Sequence, residues 1–362
     1  MADRELGRRR LVAQGVVTRP FARPADAVTA LGAMQGQDLP GVIASAALRT
    51  ADGTVADVIE DLDAGRIVRG YPMRGTVFLL PSAEATWMGQ LCVGPALRAA
   101  ATRRVDLELS DGNVDRAREA LLTALAETPG GLSRGQVMEL WETLGQPTSG
   151  GRGYHLLAHM ISETLVFFGP WNGTDQNVVL AQDWVPAGSG LEDRFNGDRV
   201  AAVTEMLRRY LTSHGPATIR DFAWWTKLPL KEIRAALPEA SAGLEHDEAD
   251  EPSYWRPGLV EEVAELAASL RRPRLLPGFD EFILGYQDRS FAMSEEELLR
   301  LSPGKNGMFR RSVVVDGQVR GLWKRGGRPG KRSPELERFD GLSKRAEAAL
   351  PKLFAAFPFT TP

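Results

Sequence analysis

Residues 41–81, GVIASAALRTADGTVADVIEDLDAGRIVRGYPMRGTVFLLP, change their pattern partway along. Residues 41–50 form a helical run whose small side chains permit close packing. Residues 54–63 read as a second helix, with Thr54 and Asp57 in capping-box spacing. From Ile67 the pattern becomes that of strands, 67–73 and 76–80, joined near Arg74-Gly75. Helices followed by a short hairpin are the element order of a winged helix. Upstream, residues 4–17 and 25–35 read as helices. Downstream, further helices start at Ser82 and cover about 94–105.

The same order recurs. Residues 113–127 are helical, and 133–144 form a capped helix with Val137, Leu140, Trp141 and Leu144 on its core face. A glycine-rich break at 145–153 precedes a helix at 154–165. Strands at 166–169 and 177–181 then flank the turn at 171–174. A third copy has helices at 197–212, 218–227 and 230–237, and Tyr254-Trp255 closes a long acidic wing. In the last ninety residues, 274–286 contain a buried strand in which Asp280 and Glu281 point to opposite faces. Strands 310–315 and 318–324 meet at Asp316-Gly317, a strong hairpin signal, and a helix runs from Pro334 to Phe357. The expected division is three winged-helix units at 1–107, 108–195 and 196–270, then strands, hairpin and helix at 271–362.

The chain has 362 residues, 43% hydrophobic and 25% charged, as in ordinary soluble proteins with several small cores. It has no apolar run long enough to span a bilayer, and Met1-Ala2-Asp3-Arg4-Glu5 lacks a signal-peptide core. A cytoplasmic protein with no membrane partner is expected. Cys92 is the only cysteine, which excludes an internal disulfide and a cysteine-based zinc site. The net charge is only −3, but it is segregated. Nine basic residues face one acid between Lys305 and Arg332, and five acids lie between Glu245 and Glu251. Such segregation suits a basic face for phosphates.

The junction Met34-Gln35-Gly36-Gln37-Asp38-Leu39-Pro40 stands out as a functional candidate. Val28, Leu31 and Met34 share a helical face leading up to it. Gly36 is suited to end that helix and Pro40 to begin the next, with Asp38 as a cap. Residues two apart share a face only on extended backbone, so Gln35 and Gln37 address one target only if this segment is unwound. Other chemistries find less support. His155 and His159 share a helix face, but Leu156, Leu157 and Ala158 lie between them and no third ligand is evident. Neither glycine-rich stretch, 149–153 or 326–330, is a phosphate-binding loop, and no Gly-x-Ser-x-Gly is present. No metal or cofactor is expected.

MQGQDLP, YPMRGTVFLLPS (71–82), LLPGFDEFILGYQDRS (275–290) and NGMFRRSVVVDGQVRGLWKR (306–325) together resemble the AlkZ/YcaQ family of bacterial DNA glycosylases, in order and approximate spacing from residue 4 to about 357. The resemblance implies an α+β, mostly helical fold. Three tandem winged-helix units would surround a concave basic cleft, with a C-terminal β-hairpin element. It places the family's signature, Gln-apolar-Gln or Gln-apolar-Asp, on Gln35 and Gln37 as catalytic residues, and a functional hairpin within 306–325. Two departures stand out: Gly36 replaces a larger apolar residue, and Phe78 stands where many relatives have histidine.

The implied activity is monofunctional hydrolysis of the N-glycosidic bond of cationic N-alkylpurines in double-stranded DNA. N7-alkylguanine is the leading substrate, and bulky adducts and interstrand cross-links are included. The role would be repair or self-resistance to a DNA-alkylating natural product. A cationic base departs without leaving-group protonation, so orienting a water through an amide carbonyl suffices. Asp280 is a reserve candidate for stabilising the sugar cation. Arg74, Lys305, Asn306, Arg310, Arg311, Lys324 and Arg325 are candidates for binding DNA. No obligate protein partner is evident. The rival readings are a non-catalytic winged-helix regulator and a protein that sequesters the genotoxin itself.

Overall fold

Short amphipathic helices make up about half of the chain, and antiparallel strands sit between them. The computed structural model describes residues 3–305, 307–328 and 330–360. It divides into two compact units. The first comprises Met1–Val58, Thr204–Trp225 and Pro229–Pro362, and the second Ile59–Val203 and Thr226–Leu228. Among the described residues, no helix is long and apolar enough to cross a membrane.

Near the start of the first unit, helix Pro24–Leu31 ends at Gly32, whose φ of 80° only glycine adopts without strain. The helix therefore stops short of the expected residue 35, and Gly36 does not cap it. Met34–Gln35 instead form a two-residue strand, β1. Helix Leu39–Ala47 follows, with Pro40 in its first turn. Asp38 occupies the N-cap position without making a side-chain capping hydrogen bond, so its expected role holds for the backbone alone.

The second unit contains β2 (Ile67–Met73), β3 (Thr76–Pro81), β4 (Val166–Trp171) and β5 (Gln176–Leu180), in the order β3-β2-β4-β5. Arg74 (φ 58°) and Gly75 (φ 65°) both have positive φ, which matches the turn to the twist of its strands. Helices Asp111–Ala126, Arg134–Thr143 and Arg152–Ser162 bury Leu121, Trp141 and Met160 together with Phe168 and Val178 of the sheet. The buried Trp141 donates its indole N–H to the Ala117 carbonyl at 2.9 Å, so the core holds no orphaned donor there.

The remaining strands belong to the first unit. They are β6 (Glu245–His246), β7 (Tyr254–Trp255), β8 (Arg274–Leu276), β9 (Arg311–Val315), β10 (Gln318–Gly326) and β11 (Ser333–Arg338). β6 and β7 form a two-stranded ribbon, and the others a sheet in the order β11-β10-β9-β8. Two expectations are corrected here. Asp280 is the N-cap of the short helix Glu281–Leu284 rather than a strand residue. The helix expected from Pro334 is strand β11 followed by helix Lys344–Ala355. The strand wins because its alternation fits its neighbour: Leu336 packs into the core while Glu335 stands opposite Lys324 and pairs with it at 2.8 Å. Gly341 (φ 84°) and the cap Ser343 then separate strand from helix. Asp316 (φ 57°) and Gly317 (φ 79°) close the β9–β10 turn. Arg8 of helix Arg4–Ala13 grips Asp316 at 2.7 and 2.9 Å.

Candidate active site

The site lies in the first unit, where β1 meets the turn before helix Glu281–Leu284. Gln35 is buried, 7% exposed, and its backbone N–H donates to Glu281 Oε1 at 2.5 Å. Its side-chain Oε1 is buried with no hydrogen-bond partner. Leaving such a carbonyl unpaired costs roughly 1–3 kcal/mol, so it calls for an explanation. Gln37 is exposed and lines a cavity of about 500 Å³. Asp38, Gly278 and Phe279 line one part of it, and Met308, Phe309, Arg310, Arg311, Trp323 and Lys324 the rest. Gln35 and Gln37 therefore differ sharply in exposure although the backbone between them is not helical.

Backbone crowding explains the residues beneath the cavity. A Cβ on Gly278 would lie 2.6 Å from the Phe309 carbonyl oxygen, so only glycine lets the two segments approach. The next residue, Phe279, takes a φ of 62°, which is strained for an aromatic side chain. Its ring meets Phe309 edge-on, with centroids 5.8 Å apart. Met308 is 56% exposed, so an apolar lip stands beside the basic one.

Asp280 does not face this cavity, which corrects its assignment as a stabiliser of the sugar cation. It is 2% exposed, and both oxygens are engaged. Arg49 donates to Oδ1 and Oδ2 at 2.9 Å each, Ser45 Oγ to Oδ2 at 2.5 Å, and the Phe282 N–H to Oδ1 at 2.9 Å. Burial pushes this carboxyl up. The Arg49 charge and the hydrogen bonds outweigh burial and hold it below its usual value.

The basic candidates separate. Arg310, Arg311 and Lys324 line the cavity with Gln37. Arg310 also pairs with Glu337 at 2.7 Å and Lys324 with Glu335. Arg311 lies over the Trp323 ring at 5.1 Å. Arg325 lies over Phe359 at 4.4 Å, and burial together with the charges of Arg332 and Arg311 lowers its pKa. Arg74 belongs to the second unit, where it sits over Phe78 at 5.1 Å. The Lys305 backbone is in a short 3-10 turn, and Asn306 lies outside the described residues. In the second unit His159 contacts Arg104 at 2.7 Å and Glu163 at 3.3 Å, and the described residues contain no cluster of potential metal ligands. Sequence reasoning missed Phe279, Met308 and Phe309. It passed over Glu281 because a strand register would have turned that side chain away from Asp280's face.

A family model described as "DNA glycosylase AlkZ-like" matches residues 28–357. The chain is 30% identical over 125 residues to a Streptomyces sahachiroi protein named "Interstrand DNA cross-link repair glycosylase". That match spans 34% of this chain and 34% of the relative's length. The fold superposes on a solved structure, Streptomyces sahachiroi DNA glycosylase AlkZ, with a TM-score of 0.71 and 21% identity. That superposition covers 98% of this chain and 97% of the other.

Proposed function

The chain belongs to the AlkZ-like DNA glycosylase family, and from that premise we propose that it is a monofunctional DNA glycosylase that hydrolyses the N-glycosidic bond of cationic N-alkylpurines. The observation that carries this reading is the buried, unpartnered Oε1 of Gln35 two residues from Gln37, which opens on a cavity rimmed by Arg310, Arg311 and Lys324. N7 alkylation makes guanine a cationic leaving group, and the sugar left behind is oxocarbenium-like. An amide cannot take a proton near neutral pH, but its carbonyl accepts a hydrogen bond from water and fixes the water's direction of attack. Gln35 and Gln37 fill this role, and the basic strands hold phosphates in register. The helix-plus-hairpin orders at 1–107, 108–195 and 196–270 are read as three winged helices, followed by the hairpin region at 271–362. Lys305, Asn306, Arg325 and Arg74 are assigned to outlying phosphates. Bulky adducts and interstrand cross-links belong to the substrate class, in line with the relative's name. The reaction is placed in the cytoplasm.

The test is release of free base from duplexes carrying one lesion each, under single-turnover conditions. N7-alkylguanine is expected to be released, and uracil and 8-oxoguanine retained, because a neutral base needs leaving-group stabilisation that two amides do not supply. DNA binding without release of any N-alkylpurine would leave a regulator. Uracil release insensitive to Gln35→Ala would move the catalytic centre elsewhere.

A further inference from the structure

Glu281 and His214 have no place in the chemistry above, yet they carry unsatisfied buried atoms directly beneath it. Glu281 is 1% exposed and His214 0%. One carboxylate oxygen accepts the Gln35 N–H at 2.5 Å. The other, Oε2, lies 3.5 Å from His214 Nε2, and neither atom has a hydrogen-bond partner.

The neighbours fix the proton inventory. Ser213 Oγ is 2.8 Å from the Arg209 carbonyl oxygen, which can only accept, so the single hydroxyl hydrogen goes there. Ser213 Oγ must then accept from His214 Nδ1, 2.9 Å away, and Nδ1 carries a hydrogen. A neutral His214 would therefore turn the bare Nε2 lone pair toward a carboxylate, setting two acceptors against each other in a buried site. One further proton, held between Nε2 and Oε2, removes the conflict. The histidine cannot swing away, because its ring stacks on Tyr210 with centroids 4.5 Å apart and its carbonyl accepts the Tyr286 hydroxyl at 2.8 Å. Gln14 Nε2 donates to that hydroxyl at 3.0 Å and to the Glu281 carbonyl at 3.2 Å. The Glu281 backbone is thus anchored independently of its side chain.

The geometry points to Glu281 as a positioning residue that clamps the Gln35 backbone, with His214 as the proton-bearing partner that holds Glu281 in place. The inference rests on the glycosylase reading. With its N–H taken by Glu281, Gln35 is fixed in extended form, and its side-chain carbonyl is left unpartnered. Without the clamp, that N–H is orphaned in a buried site and the segment shifts to find an acceptor.

Glu281→Gln discriminates between a clamp and a requirement for charge. The glutamine Oε1 still accepts the Gln35 N–H, and its NH2 donates to the bare His214 Nε2, so no extra proton is needed. Single-turnover excision is expected to stay within about threefold of wild type. Glu281→Leu removes the acceptor and is expected to lower that rate by roughly tenfold to a hundredfold, with DNA affinity unchanged. Wild-type rates in Glu281→Leu would overturn the proposal, as would parallel loss of affinity and rate. A second arm needs neither substrate nor the leucine variant to fold. In full-length protein with 15N-labelled glutamine, the Gln35 amide is assigned by its loss in Gln35→Glu. Its proton is expected far downfield because it faces a carboxylate, and it should move upfield in Glu281→Gln. An unmoved amide would overturn the clamp. If wild type releases no alkylated base, the glycosylase reading fails, and this second arm still decides the clamp.

Discussion

Asp280 and Glu281 are adjacent acids, both buried in the first unit, and their surroundings differ completely. Asp280 receives hydrogen bonds on both oxygens, and Arg49 matches its charge. Glu281 has one oxygen on a backbone N–H and the other facing a histidine beyond hydrogen-bond geometry. A buried charge that is fully paired is held by the fold and holds the fold in turn. A buried polar group left unsatisfied costs stability, and such groups collect where chemistry is done. The contrast is between a fully paired acid at Asp280 and an incompletely satisfied one at Glu281, although one peptide bond separates the two, and the proposed clamp rests on it.

The largest effect that could break this contrast is on stability. Asp280→Leu leaves Arg49 charged, buried and unpaired, and is expected to cost about 3–5 kcal/mol in urea unfolding of the full chain. Arg49→Met in the same chain should recover most of the loss. A stable Asp280→Leu protein that no longer excises base would return Asp280 to the catalytic set. Next in size, Gln35→Ala and Gln37→Ala should each lower single-turnover excision of N7-alkylguanine by about a hundredfold, with little change in DNA affinity. Because Gln35 is buried and Gln37 lines the cavity, Gln37→Ala should leave unfolding unchanged. Wild-type rates in the double variant would remove both glutamines from the mechanism.

Much of this was legible in the sequence wherever a local rule decided the structure. The Thr54–Asp57 box, the Ser133 cap and the Arg74-Gly75 and Asp316-Gly317 turns all form as the spacing predicts, since capping and positive φ depend on a few adjacent residues. The rest depended on partners distant in sequence. SPELER at 333–338 becomes a strand because Lys324 and the core face lie opposite it. Phe279 is forced to positive φ between Gly278 and the Asp280 cap. That turn makes Asp280 a helix N-cap instead of a strand residue. Unwinding of the Gln35–Gln37 stretch was legible only as the condition for the two glutamines to share a target, since a helix is expected to run through Gln35. The partner of the Gln35 N–H, 246 residues away, was not legible.

The second unit supplies a matched pair of histidines to sharpen the rule. His159 sits between Arg104 and Glu163, whereas His155 Nε2 is buried with no partner. Burial, then the charges of Arg104, His159 and Arg103, pull the His155 pKa down from 6.5 to about 4. Between those values the unfolded chain binds more protons than the folded one, so stability falls as pH drops through this window. The loss between pH 7 and pH 5 is expected to be about 2 kcal/mol, and His155→Leu should flatten it. The hydrogen bond from His159 holds Glu163 down to about 2, so its contribution is lost only below the usual carboxylate range, as pH falls from about 4.5 toward 2. An unchanged profile in His155→Leu would mean that the unpaired histidine costs nothing.

The smallest effect tests whether pairing also predicts which cations meet DNA. Arg310 and Lys324 line the same cavity as Arg311, but each already has a carboxylate, Glu337 and Glu335. To bind a phosphate, either must share its charge with an acid that stays nearby. Arg311 has no carboxylate partner among the described residues and lies over Trp323 at 5.1 Å, a contact that leaves the guanidinium's charge uncompensated. Each phosphate neutralised releases counterions, and contributes about 0.9 to the slope of log affinity against log salt. Arg311→Gln should therefore lower that slope by about 0.9, weakening binding severalfold at low salt and little at high salt. Arg310→Gln should lower it by less, because the charge removed was partly offset by Glu337. Adding Glu337→Gln to an otherwise wild-type chain should steepen the slope, since it frees Arg310 for DNA. Equal losses from Arg310→Gln and Arg311→Gln would show that the carboxylate partners yield to phosphate without cost, and that pairing in the free protein says nothing about which cation binds.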